Sequence, residues 1–222
     1  MLSIQDAQTK LANMRGLKLP TTTIALHKAL NYRIAQPVIA PLDVPPAANS
    51  AMDGYALKLS DLLSNDFRLP VSQRITAGSL PAPLQANSCA RIFTGAMIPQ
   101  GADTVIIQED TTIADEVIFF SKTQLYSVND NIRPKSQDIL KGSVLAQTGS
   151  KITPALMGLL ASQGFASIDV FAPLKVALLS TGNEIVSPGS PLPLGKIYNS
   201  NRYSVGGLLQ HWGPVTLDFI DV

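Results

Sequence analysis

Residues 45–61, PPAANSAMDGYALKLSD, divide the chain into two textures. Before them, apolar residues recur at helical spacing. After them, up to about residue 140, come short β-like runs set between Pro, Gly, Asn and Asp, namely RLPVSQRI, CARIFTG, DTVIIQE and EVIFFSK. Runs of this length bounded by turn residues predict a β-rich module rather than helices. Inside the dividing stretch, Asp53 stands between Met52 and Gly54. Asp-Gly is a common hairpin turn, because both residues tolerate positive φ. Asn49, Ser50 and the flanking Met52 and Tyr55 equally suit a loop held against a surface. Asp53 is therefore either a turn residue or a ligand.

Upstream, Ile4, Ala7, Leu11 and Met14 predict a helix over 3–14, with Ser3 and Asp6 as its capping box and Gly16 and Pro20 beyond its end. A second short helix is expected over Thr23–Leu30. Downstream, ILKGSVLAQTGSKI at 139–152 reads as two short strands about a glycine turn. Thr153 then caps a helix with Pro154 at its first position and Gly164 at its stop. ASIDVFAP at 166–173 reads as a strand. From Leu174 the order is strand (LKVALLS), polar glycine loop, capped helix (199–213) and strand (PVTLDFIDV), the opening of a doubly wound α/β unit. A parallel sheet of that kind needs about two to three times this length, so the unit reads as incomplete.

Composition narrows the functional classes. Apolar residues make up 45% of the 222 and charged residues 15%, which describes a folded chain with a core. With 17 basic and 16 acidic side chains the net charge is +1, giving no electrostatic case for nucleic acid or a membrane surface. Cys89 is the single cysteine, and His27 and His211 are the two histidines. An internal disulfide and a cysteine or histidine metal site are thereby disfavoured, and a reducing cytoplasm is expected. No apolar run approaches the roughly 20 residues of a membrane span, and the N-terminus lacks the apolar stretch of a signal peptide.

Three further polar clusters carry possible chemistry. In RIFTGAMIPQGADTVIIQED (91–110), Thr94-Gly95 follows a strand, and such a glycine lets backbone amides approach an anion beside the hydroxyl. Two ordinary β-turns would account for the same residues. In NIRPKSQDILKG (131–142), Arg133, Lys135 and Asp138 form either a solvated charge cluster or a site for an oxyanion or a magnesium phosphate. In LLSTGNEI (178–185), Ser180, Thr181 and Gly182 lie at a strand's carboxyl end, with Glu184 beside them. Asn199, Ser200 and Asn201 precede or open the next helix, whose N-terminus attracts anions. Walker, dinucleotide and nucleophile-elbow patterns are absent.

Taken in order, PPAANSAMDGYAL, RIFTGAMIPQGADTVIIQE, NIRPKSQDILKG and VALLSTGNEI followed by GKIYNSN resemble the MoeA family of molybdopterin molybdenumtransferases, related to the gephyrin E domain and plant Cnx1. The resemblance covers essentially the whole chain. It implies a mixed α+β, multidomain fold. Residues 1–40 and 139–172 would form a split N-terminal linker domain, 41–138 an inserted β-rich module, and 173–222 the incomplete start of a MogA/MoaB-like α/β domain. It further implies magnesium-dependent insertion of molybdate into adenylylated molybdopterin with release of AMP, in a cytoplasmic homodimer. Contacts with the adenylyltransferase partner and with molybdoenzymes belong to the same picture.

By the same resemblance, Asp53, Thr94, Asp138 and Glu184 would be catalytic, with Asp53, Asp138 and Glu184 as metal ligands. Arg133, Ser180, Thr181, Gly182, Asn199, Ser200 and Asn201 would line the pterin-phosphate or adenylate site. Two departures are visible: Asn183 stands where the family has an acid, and Ser136-Gln137 replaces Gly-Glu before Asp138. The competing expectation is a catalytically inactive remnant that serves as a dimerising scaffold module.

Overall fold

The computed structural model describes residues 2–14 and 19–221. In chain order the first elements are α1 (Ile4–Asn13) and β1 (Thr21–Ala25). Then come β2 (Asn49–Ser50), β3 (Gly54–Leu57), α2 (Leu59–Ser64), β4 (Arg68–Ile75) and β5 (Cys89–Ile92). These are followed by β6 (Thr104–Ile107), β7 (Thr111–Ala114), β8 (Val117–Phe120) and β9 (Ile132–Arg133). The last part carries α3 (Pro154–Ser162), β10 (Ser167–Phe171), β11 (Leu174–Ser180), β12 (Ile185–Val186), β13 (Ile197–Tyr198), α4 (Ser200–Trp212) and β14 (Val215–Asp221). Mixed α and β content is as the sequence predicts. The chain divides into two compact units, Ile39–Ser143 and the combination of Met1–Val38 with Val144–Val222.

The Ile39–Ser143 unit is built on a six-stranded sheet in the order β6-β3-β5-β4-β8-β7. Only the β4–β5 pair is parallel. Central β3 is buried on both faces, because successive residues point to opposite sides of the pleat. Tyr55 and Leu57 join Leu62, Leu69, Cys89, Ile106, Ile118 and Phe120 on one side. Ala56 joins Ile75, Ala90, Ile92, Ala96 and Val105 on the other. At roughly 25 cal/mol per Å² of apolar surface, these two half-cores are the main stabilising term of the unit.

In the other unit, β1 and β10 pair antiparallel over Leu26, Ala29, Ile34, Val38, Ala146, Ile152, Leu160, Ile168 and Val170. Thr153 caps α3 through the Leu156 amide, with Pro154 at its first turn and Gly164 at φ +86° beyond it, as expected. Strands β11 and β14 pair in parallel from Leu174↔Val215 to Ser180↔Asp221, and α4 connects them. Gly206, buried on α4, faces β14, where a Cβ would stand in ordinary packing contact 3.5 Å from Leu217.

Four local expectations need correction or qualification. Thr21–Ala25 is a strand, not the start of a helix; only Leu26–Lys28 make a single 3-10 turn. Three threonines and an isoleucine favour the pleat once β10 offers a partner. A helix, α2, does occur in the β-rich stretch. Of the two strands expected over 139–152, only Val144–Ala146 forms, and Lys151 contributes an isolated bridge to Arg33. Helix α1 starts at Ile4 with Ser3 as its N-cap, the Ser3 hydroxyl accepting from the Asp6 amide, while its expected stop at Gly16 lies outside the described residues.

Candidate functional site

Asp53 sits on the bend between β2 and β3, and that bend is not a hairpin turn. Strand β2 pairs with β9, whereas β3 pairs with β5 and β6. Neither Asp53 nor Gly54 has positive φ. Glycine is needed at 54 for a different reason: a Cβ there would stand 2.0 Å from the Ile106 carbonyl oxygen of neighbouring β6. Contact that close is impossible for any side chain, so the residue after Asp53 must be bare.

The bend is laced onto the loop after β5. Asp53 Oδ1 accepts hydrogen bonds from the Thr94 amide at 2.8 Å and the Thr94 hydroxyl at 2.7 Å. The Gly95 amide donates to the Ser50 carbonyl, and the Ser50 amide to the Ala96 carbonyl. The Asp53 carbonyl accepts from the Gln108 amide at 3.1 Å. The two Thr94 donors, with the Arg91 charge as a smaller contribution, hold the Asp53 carboxyl below the ordinary aspartate range. The amide and hydroxyl that the sequence offers to a bound anion are thus occupied by the chain's own carboxylate. Asp53 Oδ2 has no partner among the described residues, and the side chain is half-buried.

A second pair hangs from the same frame. Arg133 in β9 lies opposite Asn49 in β2, and the Ala51 amide donates to the Asn131 carbonyl. Arg133 Nη2 donates to Asp138 Oδ2 at 2.7 Å. Lys135 pairs with Asp43 at 3.1 Å, and the Lys141 amide together with Lys135 lowers the Asp43 pKa. Asp53 with Thr94 and Arg133 with Asp138 are therefore two bonded pairs sharing the support of β2.

These residues do not fit a magnesium site by themselves. Asp138 is engaged by an arginine, and one Asp53 oxygen is saturated by Thr94. Among the described residues, no three of His, Cys, Asp or Glu come together where they could hold a metal ion.

Glu184 belongs to the other compact unit. Its carboxylate folds over Gly182, where a Cβ would come within 2.7 Å of Oε2. Lys196 Nζ donates to the carbonyl of Asn183. Buried Asn199 uses both ends of its amide: Nδ2 donates to Ser180 Oγ at 2.8 Å, and Oδ1 accepts from the Arg202 amide at 3.1 Å. Asn199 and Ser180 therefore join strand end to helix start. Thr181, Gly182, Ser200 and Asn201 are exposed around that junction.

Sequence reasoning missed Arg91. It donates to the Gly54 carbonyl at 2.9 Å and to Gln108 Oε1 at 2.5 Å, bracing the Asp53 bend from β5. The alternation of Arg91 and Phe93 with buried Ile92 was the available signal. Cys89 is fully buried, and burial pushes its thiol up to about 12, which leaves it a core residue.

Residues 2–164 match the family model described as the MoeA N-terminal region, domains I and II. A molybdopterin molybdenumtransferase of Haemophilus influenzae is 41% identical over 215 residues, covering 95% of this chain and 52% of that protein. Molybdopterin molybdenumtransferase 2 of Mycobacterium tuberculosis is 34% identical over 222 residues, covering 98% and 54%. The crystal structure of a molybdopterin biosynthesis MoeA protein from Pyrococcus horikoshii superposes with a TM-score of 0.86 at 29% identity, covering all of this chain and 56% of that one. The chain spans about half the length of the curated relatives it matches.

Proposed function

This chain belongs to the MoeA family, and on that premise we propose that it supplies the N-terminal portion of a molybdopterin molybdenumtransferase. The whole protein would act in molybdenum cofactor biosynthesis, taking adenylylated molybdopterin and molybdate and releasing AMP. The observation that carries this reading is the double hydrogen bond from Thr94 to Asp53.

In this reading Asp53 orients a water, a role that the Thr94 bond supports. A carboxylate with a depressed pKa is a poor proton acceptor, so Asp53 is unsuited to strong general-base work. Its unpartnered Oδ2 is suited to orienting a water toward the phosphoanhydride. Thr94 fixes the carboxylate so that only this oxygen is presented. Arg133, aimed by Asp138, supplies positive charge to an anionic substrate group. Ser180, Thr181, Gly182, Ser200 and Asn201 form the pterin-phosphate portion in the same reading, Asn199 shapes it, and Glu184 is the catalytic acid beside it. Magnesium belongs to the loaded whole enzyme in this scheme, since these side chains alone do not make its site.

The domain assignment follows the same lines. Residues 41–138 are the inserted module, supported by the compact unit Ile39–Ser143. Residues 1–40 with 139–172 are the split linker domain, and 173–222 the beginning of the MogA/MoaB-like domain, supported by the parallel β11–β14 pair. A homodimer is the assembly this reading implies. Among the described residues, no helix is long and apolar enough to cross a membrane.

The test is AMP release by the full-length protein supplied with adenylylated molybdopterin, magnesium and molybdate. One AMP per molybdenum inserted is expected. A folded protein that forms no AMP and no molybdenum-loaded cofactor contradicts the assignment.

A further inference from the structure

On the face of the six-stranded sheet that carries Tyr55, three strands align a row of side chains. Tyr55 of β3 is opposite Arg91 of β5, and Arg91 is opposite Arg74 of β4. Direct cross-strand neighbours share a face, so the two guanidinium groups rise side by side, and like charges in that relation are destabilising. Both lean on one ring: Arg74 lies 4.6 Å and Arg91 4.7 Å from the centroid of Phe93. Arg91 also stacks over Tyr55 at 5.2 Å.

Among the described residues neither arginine has a carboxylate partner. Arg91 bonds only neutral acceptors, the Gly54 carbonyl and Gln108 Oε1, and exposed Arg74 has only its ring contact. The two cations line a cleft of about 420 Å³ with Val71, Ile113, Ile118 and Glu116. Arg91, which lines the cleft, also donates to the Gly54 carbonyl, so the cleft adjoins the Asp53 bend.

We propose that Arg74 and Arg91 form an oxyanion-binding site in this cleft, taking a phosphate-class anion, free or carried on an apolar body that packs on Val71, Ile113 and Ile118. An anion between the two guanidiniums relieves their repulsion and satisfies donors that make no hydrogen bond to a protein acid. Aromatic stacking by Phe93 and Tyr55 fixes the guanidinium planes without consuming all of their N–H groups. Glu116 at the rim opposes binding and limits its strength. The inference does not rest on the transferase reading, because it concerns binding at Arg74 and Arg91 and not turnover at Asp53.

Arginine Nε–Hε NMR signals of the full chain, titrated with inorganic phosphate at constant ionic strength, test it. Saturable shifts of the Arg74 and Arg91 signals are expected. Arg74→Gln, an exposed substitution that breaks no hydrogen bond, should weaken the Arg91 response about tenfold. Glu116→Gln should strengthen it about twofold. A parallel titration with phenyl phosphate separates the two ligand forms: tighter binding than phosphate identifies an ester on the apolar wall, and equal binding identifies a free oxyanion. Non-saturating shifts, or identical titrations in the wild type and both variants, overturn the proposal.

Discussion

Thr94 holds Asp53 through a single carboxylate oxygen, amide at 2.8 Å and hydroxyl at 2.7 Å, across 41 residues of sequence. The loop after β5 and the β2–β3 bend are thereby tied together.

Gly54 is irreplaceable for steric reasons. Gly54→Ala drives a methyl against the Ile106 carbonyl in a fully buried strand. Overpacking of this kind costs about 1–3 kcal/mol or more, and the strand shift that relieves it displaces Asp53. Urea denaturation should show the lowered midpoint. A variant as stable as the wild type would mean that β3 and β6 are not so closely set.

The Asp53 carboxyl gives a titration signature. Its folded pKa is depressed, so the associated stability is present above the unfolded value and is lost as pH falls from about 4 through the folded value. Thr94→Val removes the hydroxyl donor, retains the amide, and should move the Asp53 midpoint part of the way back toward the ordinary value. Thr94→Ser should leave it close to the wild type. Carboxyl carbon NMR during acid titration reads both directly.

In the other unit, Asn199 is the point to probe. Asn199→Ala removes the α4 cap from a buried position and leaves half-buried Ser180 without its partner. A loss of about 1–3 kcal/mol is expected in thermal unfolding, with Asn199→Asp recovering part of it because a carboxylate still caps the Arg202 amide.

Much of this architecture is legible in local sequence because local residues cause it. Thr153-Pro154 starts α3 and Asn199 starts α4, each using a side chain within three residues of the amide it caps. The misreadings involve distant partners. Helix α2 has no capping side chain of its own at Lys58; its first amide, Leu59, is held by Asp103 Oδ1 at 2.8 Å from 44 residues away. Thr21–Ala25 becomes a strand through residues 167–171.

The candidate site follows the same division. Asp53, Thr94, Asp138 and Arg133 stand out by type, but their bonding does not. Gly54 reads as a turn glycine in the sequence and proves to be a close-approach glycine, a difference set by Ile106 on another strand. Arg74 and Arg91 occur in the matching pairs Arg74-Ile75 and Arg91-Ile92, and only the parallel register makes them neighbours.

The most direct measurement is single-turnover AMP release by the full-length protein with Asp53→Asn and, separately, Thr94→Val, each checked for an unchanged melting temperature. The account predicts a loss of about 100-fold or more for Asp53→Asn, which removes the charge at the presented oxygen, and a smaller loss for Thr94→Val, which only loosens it. An Asp53→Asn protein that folds normally and releases AMP at the wild-type rate would contradict the central claim.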